Sequence, residues 1–462
     1  MSNKFSHPYI PNSQPDVKKQ MLDELGMTSA EDIFKEIPDR LRFKGKIDLP
    51  APIKSEYALR KHVEGILAKN KNCKDTLSFL GGGTWQHYVP AVCDTIASRD
   101  EFLTAYVGDA YSDHGKFQAL FEFASMIGEL VGMDCVGTPT YDWANSIGIS
   151  CRMASRKTGR KEVILPENIS PGRLAVVKNY LRPDIKITMV KNVRETGLMD
   201  LDDLKSKLND NIAGVYFENP TYLGVIETQG VEISKLVHGV NAEVIVGVDP
   251  SSLGVLEVPA EYGADIVCGE LQPLGIHMQW GGGLGGFIAT RDEKEYVAEY
   301  PNLLYGITDT TAEGEYGFGE VDYERTSYVS REKAKDFVGT ATALYGITAG
   351  VYLALMGPYG MKELGEGIMQ KVSYAMNEIS KIKGVKMAHT GFNFKEFVVD
   401  FNETGKSVDE INEKLKEMNI FGGLNLEKSF PELGQSALYC ITEIHTKEDI
   451  DKLVSSLKKI LC

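Results

Sequence analysis

The sequence has no long apolar segment. None of its apolar runs approaches the ~20 consecutive residues that cross a bilayer as a helix. The opening residues, MSNKFSHPYIPNSQPD, lack the apolar core of a secretory signal. We therefore expect no membrane-spanning helix and a cytoplasmic location.

Basic residues are in the minority, with 50 Lys and Arg against 65 Asp and Glu and a formal net charge of −15. An acidic surface repels phosphate groups. Nucleic acid and anionic membrane surfaces are therefore not expected partners.

Cysteine and histidine are few and scattered. The seven cysteines include no CxxC pair, and the eight histidines include no HxH or HExxH spacing. Dispersed cysteines in a large chain are typical of reduced core thiols in the cytosol. A zinc or other metal site needs closely spaced ligands, so we expect none.

What the sequence does contain is apolar strands alternating with helical stretches. The strand-like runs are residues 163–165, 187–190, 213–217, 244–248 and 266–268, with a helix at 122–130 before them. This alternation predicts an α/β fold with a mostly parallel sheet and helices on both faces.

The ends of the chain differ from this middle part. Residues 1–75 are polar with helical apolar spacing, which predicts an N-terminal helical extension laid over a core. A long apolar helix ends at Gly357-Pro358, and after it the pattern is helix, strand (396–401), helix (408–418), strand (437–442) and helix (447–461). We predict three domains: 1–75 (helical extension), 76–357 (large) and 358–462 (small, α+β).

Three residues that could carry chemistry follow predicted strands. Asn219 precedes a proline after the strand 213–217, Asp249 follows 244–248, and Gln272 lies in the Gly-bounded loop after 266–268. Ligands of open parallel sheets bind at the carboxyl ends of the strands. Taken singly, each of these residues could equally shape or cap a turn.

The order of these residues is that of the pyridoxal phosphate (PLP) site in fold-type-I PLP-dependent transferases. There the Asp pairs with the pyridinium nitrogen and the loop carries the Schiff-base lysine. Here no lysine occurs between Lys235 and Lys294, and Gln272 stands in the loop. An amide cannot form an imine, so covalent anchoring of PLP is lost at this position.

Several motifs make a family resemblance specific. The segments GADIVCGELQPLG, FLGGGTWQHYVPAV, VDPSSLGVLEVPAEYGADIV, YLALMGPYGMKEL, FKEFVVDF and IFGGLNLEKSFPELGQSALYCITE are spread along the chain. They resemble the first subunit of the two-subunit glycine cleavage system P-protein, and the similarity covers some nine-tenths of the chain.

The resemblance implies a subunit of glycine dehydrogenase (decarboxylating), an oxidoreductase, within a hetero-oligomer. PLP is expected on a lysine-bearing second P-protein subunit, with glycine as substrate and the lipoylated H-protein as acceptor. This chain would shape the active-site cleft without autonomous PLP catalysis. Two alternatives stay open: a divergent paralogue acting on another small amino acid or amine, and a catalytically silent scaffold or regulatory protein.

The remaining candidates are polar residues near the expected cleft. Asp142 lies where PLP enzymes hold phosphate on a helix N-terminus; a carboxylate there disfavours phosphate, and an N-cap role is the simpler interpretation. With Asn219, Asp249 and Gln272 it would form a degenerate cofactor pocket. The candidate cleft residues, which could instead be packing aromatics, are His87, Tyr88, Tyr106, Tyr111 and His114.

Overall fold

The computed structural model describes residues 9–103, 114–279, 283–339 and 341–461. The chain divides into two compact units, residues 1–71 and residues 72–462. The described α-helices, in chain order, are Pro15–Glu24 (α1), Glu56–Leu67 (α2), Ala91–Ala97 (α3), His114–Val131 (α4), Trp143–Thr158 (α5), Pro171–Leu181 (α6), Leu201–Lys207 (α7), Gly230–His238 (α8), Lys294–Val297 (α9), Ala343–Ser380 (α10), Val408–Glu417 (α11) and Lys447–Leu461 (α12).

The strands of the same residues are short. They are Leu77–Ser78 (β1), Cys135–Val136 (β2), Glu162–Pro166 (β3), Lys186–Val190 (β4), Ile212–Asn219 (β5), Glu243–Val248 (β6), Ile266–Glu270 (β7), Gly286–Thr290 (β8), Tyr305–Asp309 (β9), Tyr316–Glu320 (β10), Lys386–Met387 (β11), Glu396–Asp400 (β12), Ile420–Phe421 (β13), Leu424–Asn425 (β14) and Ser436–Cys440 (β15).

The main sheet has the strand order β2-β8-β7-β6-β5-β3-β4 in the part of the chain that the structure describes. The neighbours from β4 through β7 pair in parallel, whereas β8 is antiparallel to β7 and to β2. The predicted α/β class with a mostly parallel sheet is confirmed. The antiparallel strands β2 and β8 and the hairpin β9–β10 were not predicted from the sequence.

Both faces of the sheet are covered. On β6, Val244, Val246 and Val248 pack into one core cluster with α4, α8 and α10. Ile245, which points the other way, packs into a second cluster with α5 and α6. A parallel strand buried on both faces carries a continuous apolar run rather than an alternating one, which is why VIVGV was recognisable as a strand.

The C-terminal part of the second unit is an antiparallel sheet of order β11-β12-β15-β14 with α11 and α12. Helix α11 begins with a capping box in which Ser407 and Glu410 exchange hydrogen bonds with each other's backbone N–H. Its apolar side chains join the same core cluster as α4, α8 and α10. Helix α12 has the bounds predicted from the sequence.

Helix α10 is interrupted at Gly357, whose φ of 57° lies in the left-handed region. The helix resumes at Pro358, a residue suited to the first position of a helix because its missing N–H needs no partner there. The predicted end of the apolar helix therefore coincides with this break, and the domain boundary placed there stays a prediction.

The first unit contains α1 and α2. Ser55 caps α2 by accepting a hydrogen bond from the Ala58 N–H at 3.3 Å. Among the described residues of the whole chain, no helix is both long and apolar enough to cross a membrane.

Candidate functional site

The carboxyl ends of β5, β6 and β7 lie side by side. Asn219 pairs in register with Val248, and Val248 pairs with Gly269. Asp249 directly follows β6 and Gln272 lies two residues after the end of β7, so the fold brings the predicted residues to the same sheet edge.

Gln272 is 1% exposed and uses both ends of its amide. Its Oε1 accepts a hydrogen bond from the Trp85 N–H at 3.0 Å, and its Nε2 donates to the Trp85 carbonyl at 3.0 Å. Nε2 also donates to the carbonyl of Ile276 at 3.1 Å. An amide offers a donor and an acceptor, whereas a lysine ammonium only donates. Gln272 thus fastens the main chain of Trp85 to the loop after β7.

Asp249 forms a buried ion pair that the sequence analysis missed. Its Oδ2 lies 2.6 Å from Nζ of Lys395, and the two side chains are 5% and 3% exposed. Its Oδ1 accepts hydrogen bonds from the Ser251 N–H at 3.1 Å and the Ser251 hydroxyl at 2.7 Å. The ammonium also lies over the Trp85 ring, 3.6 Å from its centroid.

His87 extends this contact toward the surface. Nζ of Lys395 donates to its Nε2 at 3.0 Å, and its Nδ1 lies 2.7 Å from Oε2 of Glu443. Because an ammonium has no acceptor, Nε2 must accept and Nδ1 carries the proton that is donated to Glu443. The four side chains Glu443, His87, Lys395 and Asp249 form a continuous polar chain.

Glu443 is the outer end of this chain. Burial opposes its ionisation, but the hydrogen bonds from the His87 ring and from the Tyr88 N–H lower its pKa. The Tyr88 side chain is 64% exposed, so only its backbone takes part in the contact.

The N-terminus of α5 carries two carboxylates. Asp142 is the N-cap, with Oδ1 accepting from the Asn145 N–H at 2.6 Å. Glu270, which the sequence analysis did not single out, accepts at 3.3 Å from the Trp143 N–H, and also from the N–H groups of Leu271, Gln272 and Gly285. Burial raises the pKa of Glu270 to about 7.

Asn219 is committed to its own turn. Oδ1 accepts from the Glu227 N–H at 3.0 Å and Nδ2 donates to the Glu227 carbonyl at 3.3 Å. With both amide groups engaged, the side chain fixes the segment after β5.

A narrow cavity lies between these groups. It is lined by the two indoles Trp85 and Trp143, by Arg173, Asp249 and Lys395, and by Glu396 among others, and its free volume of about 10 Å³ is close to that of one water-sized sphere. Burial raises the pKa of Glu396 to about 7, and its Oε1 accepts from the Gly82 N–H at 2.6 Å.

The triple glycine before Trp85 allows this close contact. A Cβ on Gly81 would lie 2.2 Å from Oε1 of Glu396, and Gly82 and Gly83 have positive φ. Residues 79–90, here called loop 79–90, contribute Trp85 to the lining of the cavity, and the Gln272 amide holds the main chain of Trp85 in place.

Two of the candidate cleft residues, Tyr106 and Tyr111, lie outside the described residues. His114 is the first residue of α4. In the described ranges, no group of three or more His, Cys, Asp or Glu residues is arranged to hold a metal ion.

Comparison with known proteins gives a consistent family. The model of the family described as "Glycine cleavage system P-protein" matches residues 7–457. The chain belongs to this family.

Curated relatives cover the full length. A protein from Staphylothermus marinus named "Probable glycine dehydrogenase (decarboxylating) subunit 1" is 39% identical over 99% of this chain and 98% of its own. A protein of the same name from Pyrococcus furiosus is 39% identical over 98% of this chain and 99% of its own.

Solved structures agree. The crystal structure of a glycine decarboxylase (P-protein) of the glycine cleavage system in inhibitor-bound form has a TM-score of 0.85 at 30% identity, covering 99% of this chain and 100% of that one. A sphingosine-1-phosphate lyase from Burkholderia pseudomallei has a TM-score of 0.63 at 13% identity, covering 92% and 94%, and shows the fold alone. The fold is that of fold-type-I PLP-dependent enzymes.

The P-protein family is PLP-dependent, but the residues of this chain do not fit PLP. An amide stands at position 272, and both oxygens of Asp249 are already engaged. Two carboxylates, those of Asp142 and Glu270, lie at the N-terminus of α5, where the sequence analysis expected a phosphate site. The cavity has room for about one water molecule.

Proposed function

We propose that this chain is the subunit of a glycine-decarboxylating P-protein that does not hold the cofactor. In this proposal a homologous second subunit carries the lysine and the PLP, glycine is decarboxylated there, and the lipoyl arm of the H-protein takes up the aminomethyl group. The observation that carries the proposal is Gln272, an amide committed to three main-chain hydrogen bonds in a chain that matches the P-protein family from end to end.

The chain's own residues then have positioning roles. Gln272 and Lys395 both contact Trp85 and so fix the buried part of loop 79–90. The same loop carries Tyr88, which is exposed. A loop anchored at a buried end and exposed at its tip is suited to shape a cleft against a partner. Further proposed cleft residues are Tyr106, Tyr111 and His114.

The proposed location is the cytoplasm. The six cysteines of the described residues are free, and five of them are buried. Free thiols are typical of proteins in a reducing compartment.

The test is reconstitution with the lysine-bearing homologue. We expect glycine-dependent exchange of bicarbonate into the glycine carboxyl group only when both chains and the H-protein are present. Borohydride should trap the cofactor on a peptide of the partner and not on this chain. As a matched control, a partner in which the cofactor lysine is replaced should still assemble but lose exchange.

Each other outcome favours a different function. A borohydride-trapped aldimine on this chain alone contradicts the proposal. A coloured complex that is inert to glycine favours a paralogue acting on another small amino acid or amine. Absence of both complex and cofactor favours a silent scaffold or regulatory protein.

A further inference from the structure

The charge that faces Asp249 comes from the chain itself. Lys395 immediately precedes β12, in the C-terminal part of the unit, and its ammonium reaches the tip of β6 in the main sheet. Both side chains are almost fully buried and pair with each other; Asp249 also accepts from Ser251, and Lys395 also contacts His87 and the Trp85 ring.

In PLP enzymes of this fold, the carboxylate at this position pairs with the ring nitrogen of the cofactor. A pyridinium ring and the Lys395 ammonium cannot both occupy the same side of Asp249. The face of Trp85, on which a flat ring could stack, is covered by the ammonium 3.6 Å from its centroid. The space left is that of about one water molecule.

We propose that Lys395 is a built-in substitute for the cofactor's ring cation, and that it excludes a pyridinium ring from this pocket independently of the missing lysine at position 272. The inference rests on the proposed function, because it takes Asp249 to be the former cofactor carboxylate. It goes further in predicting that restoring an amine at position 272 does not restore imine formation.

The ion pair is suited to this role because it is costly to open. Removing one partner of a buried ion pair leaves the other charge without compensation. A ligand that displaced the Lys395 ammonium from Asp249 would pay that cost and would also break the contact with His87. A ring cation would form with Asp249 only the charge contact that Lys395 already forms.

The experiment uses pyridoxal, which lacks the phosphate, so that Asp142 and Glu270 do not affect the result. Imine formation joins a lysine amine to the aldehyde with loss of water, and borohydride then reduces the C=N bond. After tryptic mapping by mass spectrometry, the measured quantity is the reduced adduct at position 272. The variants are Gln272→Lys and Gln272→Lys combined with Lys395→Ala.

We expect the single variant to remain essentially unlabelled at position 272. The double variant should be labelled at least about tenfold more, which corresponds to ~1.4 kcal/mol of relief. The matched control combines Gln272→Lys with Lys371→Ala. Lys371 is half-buried and donates to the Glu443 carbonyl at 2.6 Å, outside the cavity. This control should label like the single variant.

Strong labelling of the Gln272→Lys variant, equal labelling of the single and double variants, or an adduct on Lys395 in the unmodified chain would overturn the inference. Circular dichroism and assembly with the partner establish that each variant is folded. If Lys395→Ala destabilises the isolated chain too far for labelling, the same variants are labelled in the assembled complex with the partner subunit, and the prediction is unchanged. The proposed function is tested separately, by exchange activity of the unmodified complex, so the two can fail independently.

Discussion

The two ends of the proposed degenerate cofactor pocket would face opposite charges. At one end Asp249, which would face a ring cation, is paired with Lys395. At the other end the N-terminus of α5, which would face a phosphate, is occupied by the carboxylates of Asp142 and Glu270. At the first end two opposite charges are paired, whereas at the second Asp142 caps the helix and Glu270, whose pKa burial raises to about 7, accepts backbone hydrogen bonds. The comparison indicates that side chains of this chain occupy both ends of the proposed pocket.

The ends differ in what stabilises them. The Lys395–Asp249 contact is an ion pair between buried side chains, so each partner depends on the other. At the helix N-terminus Asp142 accepts one backbone hydrogen bond, from Asn145, and Glu270 accepts four, so loss of either side chain removes hydrogen bonds but leaves no buried partner charge uncompensated. We therefore expect the first end to be the more sensitive to mutation.

The largest effect is expected for Lys395→Met. It leaves Asp249 buried without its cation and should lower the free energy of unfolding by about 3–5 kcal/mol, measured by urea denaturation. Asp249→Asn combined with Lys395→Met removes both charges and should recover a large part of that loss. Asp249→Asn is also measured alone. If the losses in unfolding free energy of the two single variants add up to the loss of the double variant, the two side chains are not coupled.

Glu270→Gln tests the other end through pH. Burial raises the pKa of Glu270 from 4.5 to about 7, so the folded state binds this proton more tightly than the unfolded state. Its stabilising contribution is complete below the unfolded value and is lost as the pH rises through about 7. Between about pH 5 and about pH 7, wild-type stability should fall relative to Glu270→Gln by up to ~1.4 kcal/mol per pH unit.

The readout is the difference between the two unfolding curves at each pH. Glu396, whose pKa burial also raises to about 7, titrates in both proteins and cancels in that difference. If the difference in unfolding free energy between wild type and Glu270→Gln does not change with pH, the folded-state pKa of Glu270 is not raised and the prediction is wrong.

The smallest effect is expected for Asp142→Ala. Loss of the N-cap bond to the Asn145 N–H should cost about 1 kcal/mol of stability, read from thermal or urea unfolding. Asp142→Asn, which keeps a capping oxygen, is the matched control and should cost less. A loss as large as that of Lys395→Met would contradict the contrast between the two ends.

Much of the fold could be predicted because its signals are local. The strands β3 to β7 follow apolar runs, and α12 follows its helical spacing, so both were located to within a few residues. The hairpin β9–β10 was missed because its strands are largely exposed and carry glycine in place of apolar alternation. Helix α4 is longer than the predicted 122–130 because its first turns were not recognised.

The candidate site was predicted in part. Asn219, Asp249 and Gln272 were found because each directly follows a strand of one parallel sheet. Lys395 was not found, although a Lys-Glu pair between phenylalanines in FKEFVVDF is an unusual place for two charges and could have been a signal of buried pairing. Glu270 was not predicted because a single glutamate at a strand end has no local pattern that distinguishes a buried carboxylate from an exposed one.

The sequence by itself determined the fold class, the family resemblance and the absence of an imine-forming lysine at position 272, since these depend on local pattern and residue type. Only the tertiary structure decided what faces Asp249. Lys395 comes from a distant part of the chain, and the local pattern around neither residue identifies the other as its partner. The two side chains are buried together, which makes each depend on the other, and burial is decided only when the chain packs.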